Sequence, residues 1–477
     1  MPLLGSRGAA SSRGFGSFAN LAYFLTNSLR FRGSNSAFLS RTPASTSNQR
    51  TFTWSGWVKR GILGSSEAQF IFSARSANSD SGWFSFFFNT NDTLCVGGWS
   101  QNYRITSQLF RDPSAWYHLV LAVDTTQATA SNRVRVYVNG SEVTAFSTTN
   151  NPSQNFDYPV NSSAAAHSHG SVIGYASTYN FDGYMDEVNF VDGQALTASS
   201  FGKTDAATGQ WVPKKFGGAY GTNGFYLNFN DSSAVGKDSS GNGNNWSTSG
   251  HSVTPGATYD LMTDVPTLTN ATTANYATWN PLWKLGGSGY IVPTNGNLRA
   301  SSPGNNIIAS TIPLPSTGKW YMEFRLTTGV YPLYGLCNSS ATGGGSANNL
   351  YGSYYNNNNN YMADGPNGLS DGNNANTTGD IGLIAVDVDN NKLWIGRIRS
   401  GTTVWMGGGN PSNGTNPSFS AASGGGVYAT TFNAQTFNNP FVGSGGSSDV
   451  WDANFGQQPW TGTLPTGFKA LNTYNLP

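Results

Sequence analysis

The sequence has little charge of either sign. Charged residues make up 10% of its 477 residues, whereas about 25% is usual in soluble globular proteins. The 25 Lys and Arg residues are balanced by 24 Asp and Glu residues, which leaves a formal net charge of +1. A chain without a strong positive field does not concentrate nucleic acid or anionic membrane at its surface. We therefore expect no nucleic-acid partner.

Cysteines and long apolar runs are also scarce. Because Cys95 and Cys337 lie far apart in the chain, we predict two buried thiols rather than a disulfide framework. No apolar run approaches the ~18 residues of a membrane span, so we expect no membrane insertion. Glycine and arginine interrupt the first ten residues before the apolar core of a signal peptide can form. We therefore expect synthesis without a signal peptide.

Helical periodicity is hard to find, because 59 glycines together with Asn, Ser and Pro interrupt most windows. Alternating runs rich in β-branched and aromatic residues recur instead, which predicts strands and an all-β protein. These runs are residues 51–59, 83–88, 116–123, 133–138, 319–326, 381–388 and 391–396. The tryptophans inside strands are predicted core residues: Trp54, Trp57, Trp116, Trp320 and Trp394.

The strand pattern fades between residues 251 and 280, which are rich in Pro, Thr and Asn and predict a linker. We expect this linker to join two antiparallel β-sandwich (jelly-roll) domains, residues 28–250 and 281–477, with residues 1–27 as an extended N-terminal segment. Runs of Asn and Gly in the second domain predict surface loops. They are residues 343–345, 356–360 and 407–409.

The first domain resembles the laminin-G, or concanavalin A-like, jelly roll. The resemblance is carried by an ordered set of short motifs: residues 28–31, 52–58, 116–119, 136–140, 181–188 and 193–197. It implies a sandwich over residues 28–201. Residues 224–229 look like a returning strand, and residues 237–246 look like its Gly/Asn turn, so we expect both to complete the same sandwich.

The second domain resembles the SPRY sandwich. The motifs that carry this resemblance are residues 318–323, 379–387, 391–394, 454–457 and 465–473. It implies a second sandwich over residues 281–477. The Asn-rich central loops depart from commoner SPRY sequences, so the resemblance transfers no binding specificity.

The opening of the chain, residues 2–10 and 12–16, is similar to that of tail-associated proteins of marine bacteriophages, which also pair these two domain types. The resemblance implies a virion protein on the tail or capsid surface, made in the host cytoplasm. The implied function is that of a non-catalytic tail fibre or receptor-binding protein, recognising host-surface glycans or proteins as a homotrimer. A head fibre or capsid decoration protein and a capsule depolymerase are the alternatives.

The N-terminal segment predicts docking rather than a core of its own, because it is short and rich in Gly and Ser. Leu3, Leu4 and Phe15 are apolar enough to enter a groove, and Arg7 and Arg13 can pair with acidic groups there. We predict that these residues anchor the chain to other phage tail or head proteins.

No residue pattern predicts catalysis. A glycosidase on a concanavalin A-like scaffold needs two carboxylates about 5–9.5 Å apart across a cleft, whereas adjacent Asp186 and Glu187 point to opposite faces of a strand. We expect Asp182 and Asp186 to tie a turn to a strand, and a loop Ca²⁺ there is the alternative. Neither a Gly-x-Ser-x-Gly elbow nor a P-loop occurs. We predict a protein that is not an enzyme and has no cofactor.

A His-x-His pair, His167 and His169, lies in sequence rich in Ser, Ala and Gly. Without a nearby Cys or carboxylate it predicts a solvated loop pair and no metal. A metal site, such as axial iron in a trimer, is the alternative.

Aromatic residues in polar loops are the candidate binding residues, because sugars stack their C–H faces on Trp or Tyr. The candidates are Trp99, Tyr103, Tyr175 and Tyr179 in the first domain and Tyr351, Tyr354, Tyr355, Tyr361 and Trp405 in the second. Residues 351–361 combine Tyr with small polar residues, a composition typical of adaptable binding surfaces. We therefore predict that the second domain carries much of the host recognition.

Overall fold

The computed structural model describes residues 23–175, 179–283, 290–329, 332–341, 350–356, 359–362, 376–421, 432–446 and 448–477, without the side chains of 353–356 and 359–362. It is an all-β protein of antiparallel sheets, as predicted. The described residues form two compact units: residues 23–254 with 258–267, and residues 255–257 with 268–477.

The first unit is built from strands β1 to β18. Their bounds are β1 (Ser28–Phe31), β2 (Phe38–Arg41), β3 (Thr51–Arg60), β4 (Gln69–Arg75), β5 (Trp83–Phe88), β6 (Thr93–Gly97), β7 (Asn102–Leu109), β8 (Trp116–Asp124), β9 (Val134–Val138), β10 (Ser141–Glu142), β11 (Phe146–Thr149), β12 (Ala166–His169), β13 (Gly183–Asp192), β14 (Gly202–Thr204), β15 (Trp211–Pro213), β16 (Phe225–Leu227), β17 (Ser247–Ser249) and β18 (Leu261–Met262). Short 3-10 turns lie at Gly33–Asn35, Ala130–Arg133 and Ala198–Ser200.

Two eight-stranded sheets make this sandwich. The first has the order β10-β9-β8-β3-β13-β1-β18, with β16 also paired to β13, and the second has the order β11-β7-β6-β5-β4-β12-β2-β17. Strands β14 and β15 pair with each other. The pairings of β16 and β17 confirm that residues 224–229 and the segment after residue 237 return to the same sandwich.

Alternation along β3 shows how the core is filled. Phe52, Trp54 and Val58 point into one large aromatic core, as the period of two along a strand requires. The opposite face of β3 is buried too, because Lys59 on that face is fully covered. Both faces of β3, in the middle of the first sheet, are therefore covered by protein.

Part of the predicted linker is what covers this outer face. Residues 258–267 belong to the first unit, and β18 within them pairs with β1. The Asp260 carboxylate accepts hydrogen bonds from the guanidinium Nε atoms of Arg30 and Arg32 at 3.0 and 2.9 Å. We call residues 258–267 the strap.

A second carboxylate of the strap lies over β3. Asp264 Oδ2 accepts from Lys59 Nζ at 2.7 Å, and its Oδ1 accepts from Trp116 Nε1 at 3.1 Å. The prediction that residues 251–280 form a linker is therefore wrong for this stretch, because its carboxylates neutralise buried cations of the sandwich.

The second unit is built from strands β19 to β30 and a 3-10 turn at Met406–Gly408. The strand bounds are β19 (Arg299–Ser302), β20 (Ile307–Ala309), β21 (Lys319–Thr328), β22 (Pro332–Cys337), β23 (Leu350–Asn356), β24 (Asn359–Met362), β25 (Ile381–Asp387), β26 (Lys392–Arg399), β27 (Thr402–Trp405), β28 (Phe419–Ser420), β29 (Asn439–Ser444) and β30 (Asp449–Asn454). A seven-stranded sheet has the order β19-β30-β21-β25-β26-β27, with β28 paired to β26, and a five-stranded sheet has the order β20-β29-β22-β23-β24.

Tyr334 joins these two sheets. It lies on β22, and its hydroxyl donates to the carbonyl oxygen of Gly396 on β26 at 2.8 Å. A Cβ atom at Gly382 on β25 would lie 2.7 Å from the Tyr334 ring, so glycine at that position makes room for the ring. The two sheets of the second unit thus interlock through one aromatic side chain.

The predicted core residues are confirmed. Each of the five strand tryptophans is at least 93% buried, and both cysteines are buried, free thiols. The loop prediction is wrong for Asn356, Asn359 and Asn360, which pair across strands β23 and β24, and residues 357–358 lie outside the described residues.

Candidate functional site

Three of the four aromatic candidates in the first unit come together on the outer side of its second sheet. Trp99 lies in the β6–β7 turn, and Tyr175 and Tyr179 follow β12. Trp83, at the start of β5, lies between them, with its ring centroid 5.4 Å from that of Trp99 and 4.9 Å from that of Tyr175. Tyr175 stacks on Tyr179 at 5.6 Å. We call these four residues the aromatic cluster.

The aromatic cluster has a buried base and an exposed rim. Trp83 is 5% exposed, whereas Trp99 and Tyr175 are 41% and 42% exposed. A single exposed ring is common, but adjacent exposed rings form an apolar patch of the kind that marks interaction sites. The cluster therefore presents two adjacent ring surfaces, supported from below, to solvent.

Hydrogen bonds accepted by the Asp80 carboxylate fix the turn that carries Trp99. Its Oδ1 atom accepts from the Ser100 backbone N–H at 2.8 Å, and its Oδ2 accepts from the Ser100 hydroxyl at 2.6 Å. Partial burial alone raises the pKa of Asp80, but the Ser100 hydrogen bonds outweigh burial and hold that pKa below its usual value. Asp80 is thus a charged brace for the exposed indole.

Arg75 supports the other side of the aromatic cluster. Its guanidinium lies over the rings of Trp83 and Tyr175, at 5.5 and 5.8 Å from their centroids. It also donates to the Ile173 carbonyl at 3.2 Å. Gly174 has φ +72°, and a Cβ atom there would lie 2.8 Å from Arg75 Nη1. The loop that carries Tyr175 therefore needs glycine next to the cation.

The chemistry of this surface suits a sugar. Two exposed rings offer apolar faces for C–H groups, and the neighbouring Asn78, Ser100 and Gln101 carry neutral hydrogen-bonding groups. Arg75 and Asp80 are already engaged by their own partners. A neutral ligand that stacks and hydrogen-bonds fits this arrangement.

Two other aromatic candidates lie in the core rather than in surface loops. Tyr103 is 1% exposed and packs edge-on against Tyr158 at 5.6 Å. Tyr351 is 3% exposed and packs against the rings of Phe419 and Phe437. Their placement at the surface was wrong, because each is on a strand and points inward.

The remaining candidates are less informative. Trp405 ends β27 and is half-buried, 6.5 Å from the Tyr321 ring. Tyr354 and Tyr361 face each other in the β23–β24 register, with Tyr355 next to Tyr354. The side chains of these three tyrosines, and all of the anchor residues Leu3, Leu4, Arg7, Arg13 and Phe15, lie outside the described residues.

The Asp186–Glu187 pair does not form a glycosidase site. Asp186 is 1% exposed and Glu187 is 2% exposed, so neither carboxylate lines an open cleft. The Glu187 carboxyl group is hydrogen-bonded to the hydroxyl groups of Tyr226 and Tyr23, both at 2.6 Å. Asp182 ties a turn to a strand as predicted, since its Oδ2 accepts from the Gly33 backbone N–H at 3.2 Å.

The His-x-His pair is not a solvated loop pair. His167 and His169 lie on β12 and are buried. The Nε2 atom of His167 accepts from the Asn161 backbone N–H at 3.0 Å, and that of His169 accepts from Trp54 Nε1 at 3.1 Å. Both Nε2 lone pairs therefore accept hydrogen bonds within the fold and are not free to bind a metal ion, which is evidence against the metal alternative.

A buried Ser–His pair went unnoticed in the sequence. Ser55 Oγ lies 3.0 Å from His118 Nε2, and Trp211 Nε1 donates to His118 Nδ1 at 2.9 Å. Because an indole N–H can only donate, Nδ1 holds the lone pair and Nε2–H donates to the serine. This tautomer cannot take a proton from Ser55, so the pair is structural. No local motif marks it, because β3, β8 and β15 bring the three residues together.

Within the described part of the chain, no three His, Cys, Asp or Glu side chains lie close enough together to hold a metal ion. The same residues include no helix that is long and apolar enough to span a membrane. Sequence reasoning also missed Trp83, Arg75 and Asp80. Trp83 opens an alternating run and so resembles a core residue, while the two charged residues acquire meaning only from their folded contacts.

Comparison with known proteins is informative for the first unit. Residues 32–201 match the Laminin_G_3 family model, described as the concanavalin A-like lectin/glucanases superfamily. A search of curated protein sequences gave no match.

Similar solved structures include a heptameric SAP-like pentraxin from Limulus polyphemus, 19% identical, covering 36% of this chain and 78% of that one with a TM-score of 0.27. Mouse laminin alpha1 domains LG4-5 are 9% identical, with 96% of this chain and 91% of that one covered and a TM-score of 0.29. Trypanosoma rangeli sialidase is 15% identical, with 32% and 22% covered and a TM-score of 0.24. These structural likenesses carry no argument about activity.

Proposed function

We propose that this chain is a non-catalytic binding protein whose aromatic cluster holds cell-surface glycans. The observation that carries the proposal is the contact of Trp99 and Tyr175 with Trp83, and of Tyr179 with Tyr175, with two rings about 40% exposed on a lectin-type domain. Fixed aromatic rings beside neutral polar groups are what sugar recognition requires.

The setting we propose is a bacteriophage virion, in which the chain is a tail fibre or receptor-binding protein. The resemblance of its N-terminus to tail-associated phage proteins supports this assignment, as does the low charge of the sequence. The predicted anchor is residues 1–27, but residues 23–27 are hydrogen-bonded to the first unit, so the part before residue 23 would dock on other tail or head proteins. Three copies would add weak contacts by avidity. A head fibre or capsid decoration protein is the alternative from the same domain composition.

The test uses soluble polysaccharide from host cells. We expect the full chain to bind it and the double variant Trp99→Ala/Tyr175→Ala to lose about 2 kcal/mol of binding, roughly thirtyfold in Kd. Leu109→Ala is the matched control, because Leu109 is also exposed, at 44%, but lies outside the aromatic cluster. Equal binding by both variants would contradict the assignment of this site.

The same incubation tests catalysis through the formation of new reducing ends. We expect no new reducing ends, because the carboxyl groups of Asp186 and Glu187 are buried within the fold. Release of reducing ends that Asp186→Asn abolishes would establish a depolymerase instead.

A further inference from the structure

A closed ring of hydrogen-bonding oxygens lies at Glu187, away from the aromatic cluster. The Tyr23 hydroxyl oxygen lies 2.6 Å from Glu187 Oε1, and the Tyr226 hydroxyl oxygen lies 2.6 Å from Oε2. The two hydroxyl oxygens are themselves 2.7 Å apart. Each of these three distances is that of an O–H···O hydrogen bond.

The closed ring needs one more hydrogen atom than the two tyrosines supply. Three hydrogen bonds that close on one another need three O–H hydrogens, and the two phenols supply two. If both phenols donated to an ionised Glu187, their oxygens would face each other at 2.7 Å with no hydrogen between them. A proton on the carboxyl group of Glu187 completes the ring.

We propose that Glu187 is protonated in the folded chain, and that the closed ring is a proton-dependent latch that holds residues 23–27 on the first unit. We call it the Glu187 latch. The proposal stands apart from the proposed function, because none of these groups touches the aromatic cluster.

The surroundings of Glu187 favour a protonated acid. It lies at a bulge of β13, where the register with β3 shifts between Asp186 and Asn189, and it has φ +51°. Burial raises the pKa of Glu187 to about 7, although the hydrogen bonds from Tyr226 and Tyr23 lower it.

The charged neighbours of Glu187 are few. Lys215 lowers its pKa, whereas the adjacent Asp186, which also feels Asp264, has its own pKa raised by burial and by Glu187. Tyr220 is the remaining titratable group nearby, and burial followed by Glu187 raises its pKa. Burial is therefore what raises the pKa of Glu187, and it outweighs the lowering effect of Lys215 and of the hydrogen bonds.

The linkage has a definite direction. Ionisation of Glu187 removes the hydrogen that completes the ring, and burial raises the pKa of that ionisation from its ordinary value of 4.5 to about 7. The ring is therefore complete in mildly acidic solution and loses one hydrogen bond as the pH rises through about 7. The latch therefore weakens on going from mildly acidic to neutral solution.

Residues 23–27 report on the latch through two further hydrogen bonds. The Leu25 backbone N–H donates to Thr267 Oγ1 at 3.2 Å, and Thr26 Oγ1 donates to Asn230 Oδ1 at 2.6 Å. Opening of the ring frees this stretch, so the Leu25 amide exchanges faster with solvent.

The experiment measures the hydrogen-exchange protection factor of the Leu25 amide in the full chain at pH 5 and pH 8. We expect about a tenfold lower protection at pH 8. Glu187→Gln is the matched variant, because an amide supplies the same donor and acceptor as a protonated acid, and its protection should be equal at both pH values. Tyr23→Phe removes one member of the ring and should lower protection at both.

Equal protection of the wild-type chain at both pH values would overturn the proposal, as would the same decrease in Glu187→Gln. The ¹³C chemical shift of the Glu187 carboxyl carbon gives a second measurement that needs no variant to fold. We expect a titration near pH 7, and a midpoint near 4.5 would equally refute the latch.

Discussion

Single buried side chains set how this protein responds to acid. All four histidines are buried enough that desolvation lowers their pKa values, to about 3 for His118 and His169 and to about 4 for His167 and His251. Each therefore takes up a proton far less readily in the folded chain than in the unfolded chain, where the pKa is about 6.5.

We predict that the first unit loses stability as the pH falls from 6.5 towards 4. A base whose pKa is lower in the folded chain than in the unfolded chain contributes its full stabilisation above the unfolded pKa. Below that pH, each histidine lowers the free energy of unfolding by up to about 1.4 kcal/mol per pH unit. Glu187, with a raised pKa, opposes this trend between pH 4.5 and 7. Urea unfolding across this range should show a shallower acid loss for His118→Gln, and an unchanged slope in that variant would contradict the prediction.

At the scale of elements, the strap is the part of the fold that a sequence is least able to reveal. Strand alternation predicted the all-β class and the tryptophan core, because both depend on local period. The pairing of Asp260 with Arg30 links residues 230 positions apart, and no local pattern encodes it.

The candidate site was predictable in part for the same reason. Trp99 and Tyr175 are recognisable in the sequence as aromatic residues within polar stretches. Their contact with Trp83 depends on the strand order of the second sheet, which no local pattern reveals. The β23–β24 hairpin was mistaken for a loop, because asparagine is rare in strands and its cross-strand partners are not known from sequence.

Removing one charge from the strap should be costly. Asp264→Asn leaves Lys59 without its carboxylate partner at a site where both side chains are fully buried, and we expect a loss of about 3–5 kcal/mol in the free energy of unfolding. Asp157→Asn is the control, because Asp157 and its ion-pair partner Arg50 are 52% and 43% exposed. This variant should leave the urea midpoint unchanged. If Asp264→Asn lost no more free energy of unfolding than Asp157→Asn, the buried pair would not be important for stability.

The β23–β24 hairpin provides a test of the second unit. It forms one edge of the five-stranded sheet, and its Tyr and Asn composition suits adaptable contacts. We predict that Tyr354→Ala/Tyr355→Ala weakens adsorption to host cells while the thermal melting temperature stays within a few degrees. Normal adsorption by this variant would exclude the hairpin from host recognition.

The molecule as a whole combines two β units with a segment that the composition predicts to be unable to fold alone. Deleting residues 2–18 should leave both units folded, because this short segment, rich in Gly and Ser, has too little apolar sequence to form a core. We predict that the truncated chain fails to enter phage particles. Full occupancy of the truncated chain in purified virions would refute the anchor role.

The most direct test of glycan binding at the aromatic cluster is a structure of the full chain bound to an oligosaccharide from the host envelope. We predict a sugar ring stacked on Trp99 or Tyr175, with its hydroxyl groups bonded to neutral side chains beside the aromatic cluster. A sugar bound elsewhere on the chain, with Trp99 and Tyr175 still exposed to solvent, would contradict it.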